Sequence, residues 1–187
     1  MDALRLIEAC YSDATDDQGW GSGLATVLSG MLGDWTDGVM CTTYRVDVSN
    51  GLQLLTVSGD ARCAALVARV ERRARSAALP GPLAFAAALN QAPERQRILR
   101  ATYGASTPTV AALTEFPRQG QEPLRQHLPW PQGDMLALFG SLDDGFGVKL
   151  GTAGPSWQVP SARRRAELVR LTEHLAVGYW LRRQRAS

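Results

Sequence analysis

The residue types that most often perform catalysis are few in this chain. It contains two histidines, His127 in a proline-rich stretch and His174 within a helical pattern. Cys41 with either histidine is the combination that nucleophilic catalysis would use, because that chemistry requires a thiol and a base within hydrogen-bonding reach. No local signature of such an enzyme surrounds these residues. We therefore predict no catalytic residues and no enzymatic activity.

Two short segments have the composition of ion-binding loops. Residues 19–23 alternate glycine with other residues, but a phosphate-binding loop requires a strand before the glycines and a helix after them. Asp16 and Asp17 precede this run and would repel phosphate, and Trp20 already belongs to an apolar helical stripe. The turn at 143–145 has too few acidic positions for a calcium loop. We predict no phosphate site, no metal site and no bound cofactor.

The composition is that of an ordinary globular protein. Of the 187 residues, 45% are hydrophobic and 20% are charged, which excludes a mainly disordered chain. The net charge of +2 is too small to indicate a nucleic-acid-binding protein. All basic residues except Lys149 are arginine, which reflects either a GC-rich genome or a need for bidentate and stacked contacts. We expect this chain alone to bind no nucleic acid.

The cysteines and the N-terminal residues bear on the cellular compartment in which the protein is expected. Cys10, Cys41 and Cys63 are widely spaced and form no C-x-x-C pair, which predicts free thiols in a hydrophobic core. The N-terminus has no basic segment followed by an apolar run, and no stretch reaches the roughly 18 to 20 apolar residues of a membrane span. We therefore expect a cytoplasmic protein that does not associate with a membrane.

Hydrophobic periodicity predicts the order of the secondary structure elements. That order is a helix after Asp2, a helix built on Trp20, a hairpin of strands 39–48 and 52–57, a helix after Asp60, a helical stretch over 83–103, a proline-rich crossover over 106–132 with a short strand at 110–113, a hairpin of strands 134–142 and 146–150, and a long helix over 161–185. Two antiparallel hairpins with helices before, between and after them predict an α+β fold in which the helices are segregated from an antiparallel sheet. We predict a single domain over 1–187.

This topology gathers aromatic and hydroxyl-bearing residues on one face of the sheet. Ligand pockets are mostly apolar with a few polar anchors, which is the character of this set. The predicted ligand-binding residues are Thr42, Tyr44, Phe85, Phe116, Trp130 and Phe139, with Leu55, Arg45 and Ser141 as further candidates. The alternative is that these side chains only fill the hydrophobic core.

The final helix, over 160–187, carries an apolar surface that is too broad for one domain to cover. Such a surface usually marks a binding partner. We therefore predict a homodimer formed through the terminal helices. The predicted interface residues are Leu4, Ile7, Tyr11, Leu168, Leu175, Tyr179 and Trp180.

Three segments of the chain resemble a known family. They are the opening 6–9, the Trp20 helix with Gly38 and Val39 after it, and the final segment 174–183. Together they are similar to the N-terminal sensory region of LuxR-type helix-turn-helix transcriptional regulators of the myxobacterial kind. The resemblance implies a GAF- or PAS-like fold whose last helix leads into a DNA-binding module. We expect that module to be absent from this chain, and no ligand-binding residue is carried over from the family.

The expected function is therefore a sensory or regulatory domain of a transcriptional regulator. It would bind a small ligand, or receive another signal, and pass the change on through the C-terminal helix. The alternative is a protein-interaction or dimerisation module that binds no ligand.

Overall fold

A computed structural model of the protein describes residues 3–33, 36–47, 51–65, 67–68, 109–112, 134–154 and 162–186. In chain order its elements are α1 (Ala3–Cys10), α2 (Asp17–Leu32), β1 (Val39–Asp47), β2 (Gly51–Gly59), a 3-10 turn (Ala61–Cys63), β3 (Thr109–Ala112), β4 (Asp134–Ser141), β5 (Phe146–Gly154) and α3 (Ala162–Ala186). None of the helices in these ranges is both long enough and apolar enough to cross a membrane. Most of the predicted helix after Asp60, the predicted helical stretch over 83–103 and most of the predicted crossover lie outside the described residues.

The strands form one antiparallel sheet in the order β2-β1-β5-β4-β3. β1 and β2 form the first predicted hairpin, β4 and β5 form the second, and β1 pairs with β5 to join them. The predicted α+β fold is confirmed. Strand and helix positions agree closely with the pattern, although β5 extends to Gly154, four residues beyond its predicted end.

The glycine-rich run at 19–23 opens a helix. Asp16 is the N-cap of α2, and its Oδ1 accepts a hydrogen bond of 2.6 Å from the backbone N–H of Gly19. This bond satisfies one of the N–H groups that the first turn of a helix leaves without a partner. Trp20, Leu24 and Leu28 then follow at helical spacing and are buried. The cap and this buried stripe are what hold a glycine-rich segment in a helix.

α2 and α3 pack against one face of the sheet, which we call the helix face, and α1 packs on α2 and α3. Strand residues of this face are Val39 and Cys41 of β1, Leu136 and Leu138 of β4, and Val148 and Leu150 of β5. They form one core with the helix residues Leu6, Cys10, Trp20, Leu24, Leu28, Leu168, Leu171, Leu175 and Tyr179.

The indole of Trp20 joins the three helices at one point of this core. Its Nε1 donates a hydrogen bond of 3.2 Å to the carbonyl oxygen of Cys10 in α1. Its ring stacks on that of Tyr179 in α3, with 5.9 Å between the ring centroids. The guanidinium of Arg182 lies 5.3 Å from the centroid of the Trp20 ring, which is within the range of a cation–π interaction.

Two glycines allow the backbone of α3 to approach its neighbours directly. A Cβ on Gly178 would collide with the carbonyl oxygen of Cys10 at the end of α1. A Cβ on Gly140 of β4 would lie 2.7 Å from the backbone nitrogen of Ala176. α3 is therefore held between α1 on one side and β4 on the other.

We expect Gly178→Ala to lower the free energy of unfolding by about 1–3 kcal/mol, because the added methyl group forces α1 and α3 apart. Gly23→Ala is the matched control: it is also a helical glycine, it is exposed, and no described atom lies within 4 Å of its Cβ position. That variant should gain about 0.5–1 kcal/mol from helix propensity. Urea unfolding measures both changes, and equal effects of the two substitutions would contradict the close contact.

Candidate functional site

The sheet has a second face, opposite the helices, which we call the distal face. Side chains alternate along a strand, so the residues between those of the helix face point the other way. The distal face comprises Met40, Thr42 and Tyr44 of β1, Val57 of β2, Ala137, Phe139 and Ser141 of β4, and Gly147, Lys149 and Gly151 of β5. All of these residues except Lys149 are buried, and Lys149 is half-buried.

Tyr44 crosses the distal face over a glycine. Gly147 of β5 lies between Tyr44 and Ser141 in the strand register, and a Cβ at this glycine would collide with the Tyr44 ring. The Tyr44 hydroxyl reaches Ser141 Oγ across β5, at 3.0 Å. The glycine therefore makes room for the ring, and the hydroxyl pair fixes its orientation.

Lys149 lies at the middle of the same face. Thr42 and Phe139 are its direct neighbours on β1 and β4. Its Nζ is 5.8 Å from the centroid of the Phe139 ring, and its Cε lies 3.3 Å from the position that a Cβ of Gly151 would occupy. The distal face thus combines hydroxyl groups, an aromatic ring and a cation, and two glycines on its β5 strand contribute no side chain.

The structure brings together several of the predicted ligand-binding residues. Thr42, Tyr44 and Phe139 share the distal face with Ser141. The other three predicted residues, Phe85, Phe116 and Trp130, lie outside the described residues. A ligand-binding role for the set stays a prediction.

Two of the further candidates lie elsewhere. Arg45 belongs to the helix face, where its guanidinium is 5.3 Å from the centroid of the Phe146 ring. The β1–β2 register shifts between Thr43 and Tyr44, which leaves Leu55 as an extra residue that is 42% exposed. Neither residue belongs to the distal face. Strand alternation places Arg45 on the opposite face, and the bulge removes Leu55 from the regular alternation of β2.

The predicted interface residues divide into two groups. Leu168, Leu175 and Tyr179 are buried in the core of the same chain, because the apolar stripe of α3 packs on its own sheet. These three are therefore unavailable to a partner, which corrects the predicted interface. Ile7 is half-buried against that core. The exposed members are Leu4, Tyr11 and Trp180.

The three cysteine thiols are held in unreactive settings, and His127 lies outside the described residues. Burial raises the pKa of the Cys10, Cys41 and Cys63 thiols to about 12. The thiolate is the nucleophilic form of cysteine, so a protonated and buried thiol is inert. The Nδ1 of His174 lies 3.0 Å from the hydroxyl of Tyr11. In the described ranges, no three His, Cys, Asp or Glu side chains gather as a metal site would require.

The turn between β4 and β5 connects the distal face to α3. Arg183 of α3 donates a hydrogen bond of 2.5 Å to Asp144 Oδ2 in this turn. Its guanidinium also lies 3.5 Å from the centroid of the Phe146 ring. On the distal face, Ser141 is the last residue of β4 before the turn and Gly147 is the second residue of β5 after it. β4 and β5 of the candidate site are therefore joined by a turn that is hydrogen-bonded to the C-terminal helix.

Two neighbouring arginines fasten the same end of α3 to the loop between α1 and α2 and to the first residue of α2. Arg182 donates to Asp17 Oδ1 at 3.1 Å and to the carbonyl oxygen of Ala14 at 3.0 Å. Arg185 donates to Asp13 Oδ1 at 2.8 Å. From the sequence alone these arginines have the composition of a solvated helix end, because their acidic partners lie far away in the chain.

The comparisons with known proteins support the fold. No protein-family model matches the chain, and no curated protein matches it significantly. Among solved structures, it is similar to the chromophore-binding domain of an unusual bacteriophytochrome from R. palustris, with a TM-score of 0.57 at 10% identity over 99% of this chain and 61% of that chain. It is also similar to the chromophore-binding domain of a Stigmatella aurantiaca bacteriophytochrome, with a TM-score of 0.50 at 12% identity over 95% of this chain and 60% of that chain.

This likeness bears on the fold alone. It supports the predicted GAF-like architecture, and the chain spans about three-fifths of the length of these two solved chains. Neither of the two is a LuxR-type regulator, so that part of the family resemblance stays a prediction.

We expect the contribution of Asp144 to stability to depend on pH. Burial raises the pKa of its carboxyl, but hydrogen bonds from Arg183 and from the Phe146 backbone N–H outweigh this, and the net pKa is lowered. Because the folded-state pKa lies below the unfolded one, the contribution is fully present above about pH 4 and is lost as the pH falls through the lower, folded value.

Asp144→Asn should therefore lower the free energy of unfolding near neutral pH. We expect about 0.5 kcal/mol, the size of a screened surface pair, because Asp144 is 51% exposed. Urea unfolding at about pH 7 and about pH 3 measures the difference, which should shrink at the lower pH. Asp143→Asn in the same turn is the control and should change little, whereas an equal loss in both variants would contradict the specific role of Asp144.

Proposed function

We propose that this chain is the sensory domain of a transcriptional regulator. It binds a small organic ligand on the distal face and passes the change on through α3. The observation that carries the proposal is the composition of the distal face, which differs from that of the hydrophobic core on the other side of the sheet.

The distal face has the chemistry of a binding surface. Ligand sites are mostly apolar and hold a few placed polar groups that fix the ligand's orientation. Phe139 and Ala137 supply apolar surface, and Thr42, Tyr44 and Ser141 supply hydroxyl groups. On the helix face, by contrast, the strand residues that form the core with the helices are valines, leucines and Cys41. The buried threonines of that face, Thr43 and Thr152, are hydrogen-bonded to the hydroxyls of other threonines.

The fold itself is compatible with such a role. The two similar solved structures are named as chromophore-binding domains, so a fold of this kind accommodates a chromophore in those proteins. The identity of 10–12% does not carry their ligand over to this chain.

The route to α3 runs through the β4–β5 turn. A ligand that displaces Ser141 or Gly147 acts on residues close in the chain to Asp144 of this turn and to Phe146, the first residue of β5. Both of those side chains contact Arg183. A ligand shifts the position of α3 only if it prefers one arrangement of this contact over another. The regulator context rests on the resemblance to LuxR-type proteins, in which the last helix leads to the DNA-binding module.

The experiment compares the wild-type chain with Gly151→Val by native mass spectrometry, before and after denaturation. The valine adds bulk to the distal face, where a Cβ meets the flexible end of Lys149 among the described atoms. We expect an additional small mass on the wild-type protein that denaturation releases. Gly151→Val should lose at least nine-tenths of that mass, because the side chain occupies the ligand's place.

Gln53→Val is the matched control, since it places the same side chain at an exposed position of β2. It should retain the mass. If Gly151→Val retained as much of the additional mass as the wild-type protein, the ligand would bind elsewhere than on the distal face. An apo mass for the wild-type protein, even after incubation with cell extract, would favour the alternative of an interaction module.

The exposed apolar residues favour a second candidate function, a dimerisation module. Val177 and Trp180 lie about one turn apart on α3 and are 47% and 46% exposed, and Leu4 of α1 is 61% exposed. Large apolar side chains that cluster on a surface are typical of a protein interface. We propose a second copy of this chain as the partner, as the terminal-helix hypothesis predicts.

Trp180→Glu should convert the dimer to monomer, because a buried, unpaired carboxylate opposes association. Sedimentation velocity at micromolar concentration measures the state. Gln184→Glu introduces the same charge about one turn further along the exposed helix and should leave the dimer intact. A wild-type protein that sediments as a monomer at these concentrations would rule out the homodimer.

A further inference from the structure

The outward side of α3 carries a row of exposed residues, which we call the outer seam. Its members follow one another at alternating intervals of three and four residues, and they are Arg163, Ala166, Arg170, Glu173, Val177 and Trp180. Intervals of three and four average 3.5 residues, which is the repeat by which two helices pack along each other. The other side of α3, with Leu175, packs in the core of its own chain. The outer seam therefore has the geometry of a second helix–helix contact.

The charges in the middle of the outer seam are complementary to themselves in only one orientation. A parallel pair of α3 helices in register would set Arg170 and Glu173 each against its own like-charged copy, and like charges at an interface oppose association. In an antiparallel pair whose twofold axis passes midway between positions 170 and 173, Arg170 faces Glu173 of the partner subunit. By symmetry the same ion pair forms twice. The charge pattern therefore favours the antiparallel orientation.

The remaining members of the outer seam fit the same register. Facing positions lie at equal distances on either side of the axis, so Ala166 faces Val177 of the partner subunit and Arg163 faces Trp180 of the partner subunit. The small side chain of Ala166 leaves room for the valine. The Arg163 side chain is 91% exposed, and a guanidinium over an indole is a favourable cation–π pair.

A register shifted by one heptad is less complementary. It would set Val177 against Trp180 of the partner subunit, which buries apolar surface. It would also place the carboxylate of Glu173 opposite the uncharged amide of Gln184 and would separate Arg170 from its acidic counterpart. Both ion pairs would be lost, so the charges distinguish the two registers.

We infer that two copies of this chain associate through the outer seam as an antiparallel pair of α3 helices, in the register that pairs Arg170 with Glu173 of the partner subunit. The inference rests on the dimerisation module proposed above and adds the surface and the arrangement of the two copies. The ion pairs set orientation and register, and Val177 and Trp180 contribute the apolar contact.

Exchange of charges tests whether the ion pairs cross the interface. Arg170→Glu and Glu173→Arg each place like charges together at both symmetry-related sites, and each should raise the dimer dissociation constant at least about tenfold. An equimolar mixture of the two variants restores opposite charges and should form a heterodimer of about wild-type affinity. Sedimentation velocity over a concentration series measures these constants. A mixture that associates as weakly as either variant alone would overturn the inference.

Gln53→Glu is the control for the added carboxylate. Gln53 is exposed on β2, whereas α3 packs on β3, β4 and β5. This variant should leave the dissociation constant within about twofold of wild type. A loss as large as that of Arg170→Glu would show that association responds to net charge and not to the proposed pairs.

Cross-linking tests the orientation and the register. We expect Ala166→Cys and Val177→Cys to form a disulfide between chains when the two variants are mixed and oxidised with diamide, as seen on a denaturing gel without reductant. Neither variant should cross-link alone, because two copies of either position lie about 16 Å apart along the antiparallel pair. The native cysteines are buried, so the wild-type protein should not cross-link.

The other outcomes are distinct. Cross-linking of Ala166→Cys alone would indicate parallel helices, and cross-linking of Val177→Cys alone would indicate parallel helices or the shifted register. Either result, or a wild-type dimer whose mixed variants do not cross-link, would overturn the inference and leave the dimerisation module in place. A wild-type protein that sediments as a monomer at micromolar concentration would overturn both.

Discussion

The packing of the three helices depends on the indole of Trp20, which contacts all of them. It donates to the end of α1, stacks on Tyr179 of α3, and lies against the guanidinium of Arg182. This matters because each glycine in the first turns of α2 costs up to about 1 kcal/mol relative to alanine. Gly21 is nevertheless required, since a Cβ there would collide with Ser58 on the sheet. Gly21 lets α2 approach the strands, and Trp20 offsets the cost of the glycine-rich segment.

The parts of the fold that depend on local periodicity could be predicted from the sequence. The alternation of side-chain types from Val39 onward predicted the first hairpin, and the apolar stripe predicted the extent of α3. Alternation also placed Thr42 and Tyr44 on one face, and the pairing of two hairpins added Phe139. These residues could be grouped because a strand's side-chain period of two is fixed by its geometry.

The remaining features depend on contacts between distant parts of the chain. The stripe with Leu175 and Tyr179 has the same pattern whether it packs on a partner or on its own sheet, so periodicity cannot separate an interface from a core. Arg183 and Asp144 are 39 residues apart, and no local rule pairs them. The position of Lys149 between Thr42 and Phe139 follows from the register of the strands, which the sequence alone does not determine.

The two glycine contacts of α3 also limit how that helix can move. Gly178 packs closely against the carbonyl group of Cys10, and the backbone of Ala176 packs closely against Gly140 of the sheet. A helix that slides or rotates about its axis would drive its side chains into these two backbones, so both motions are blocked. Leu168 and Leu171 hold the preceding turns of α3 in the same core. The contacts at 176–178 therefore fix both the register of this helix along the sheet and its rotation about its own axis.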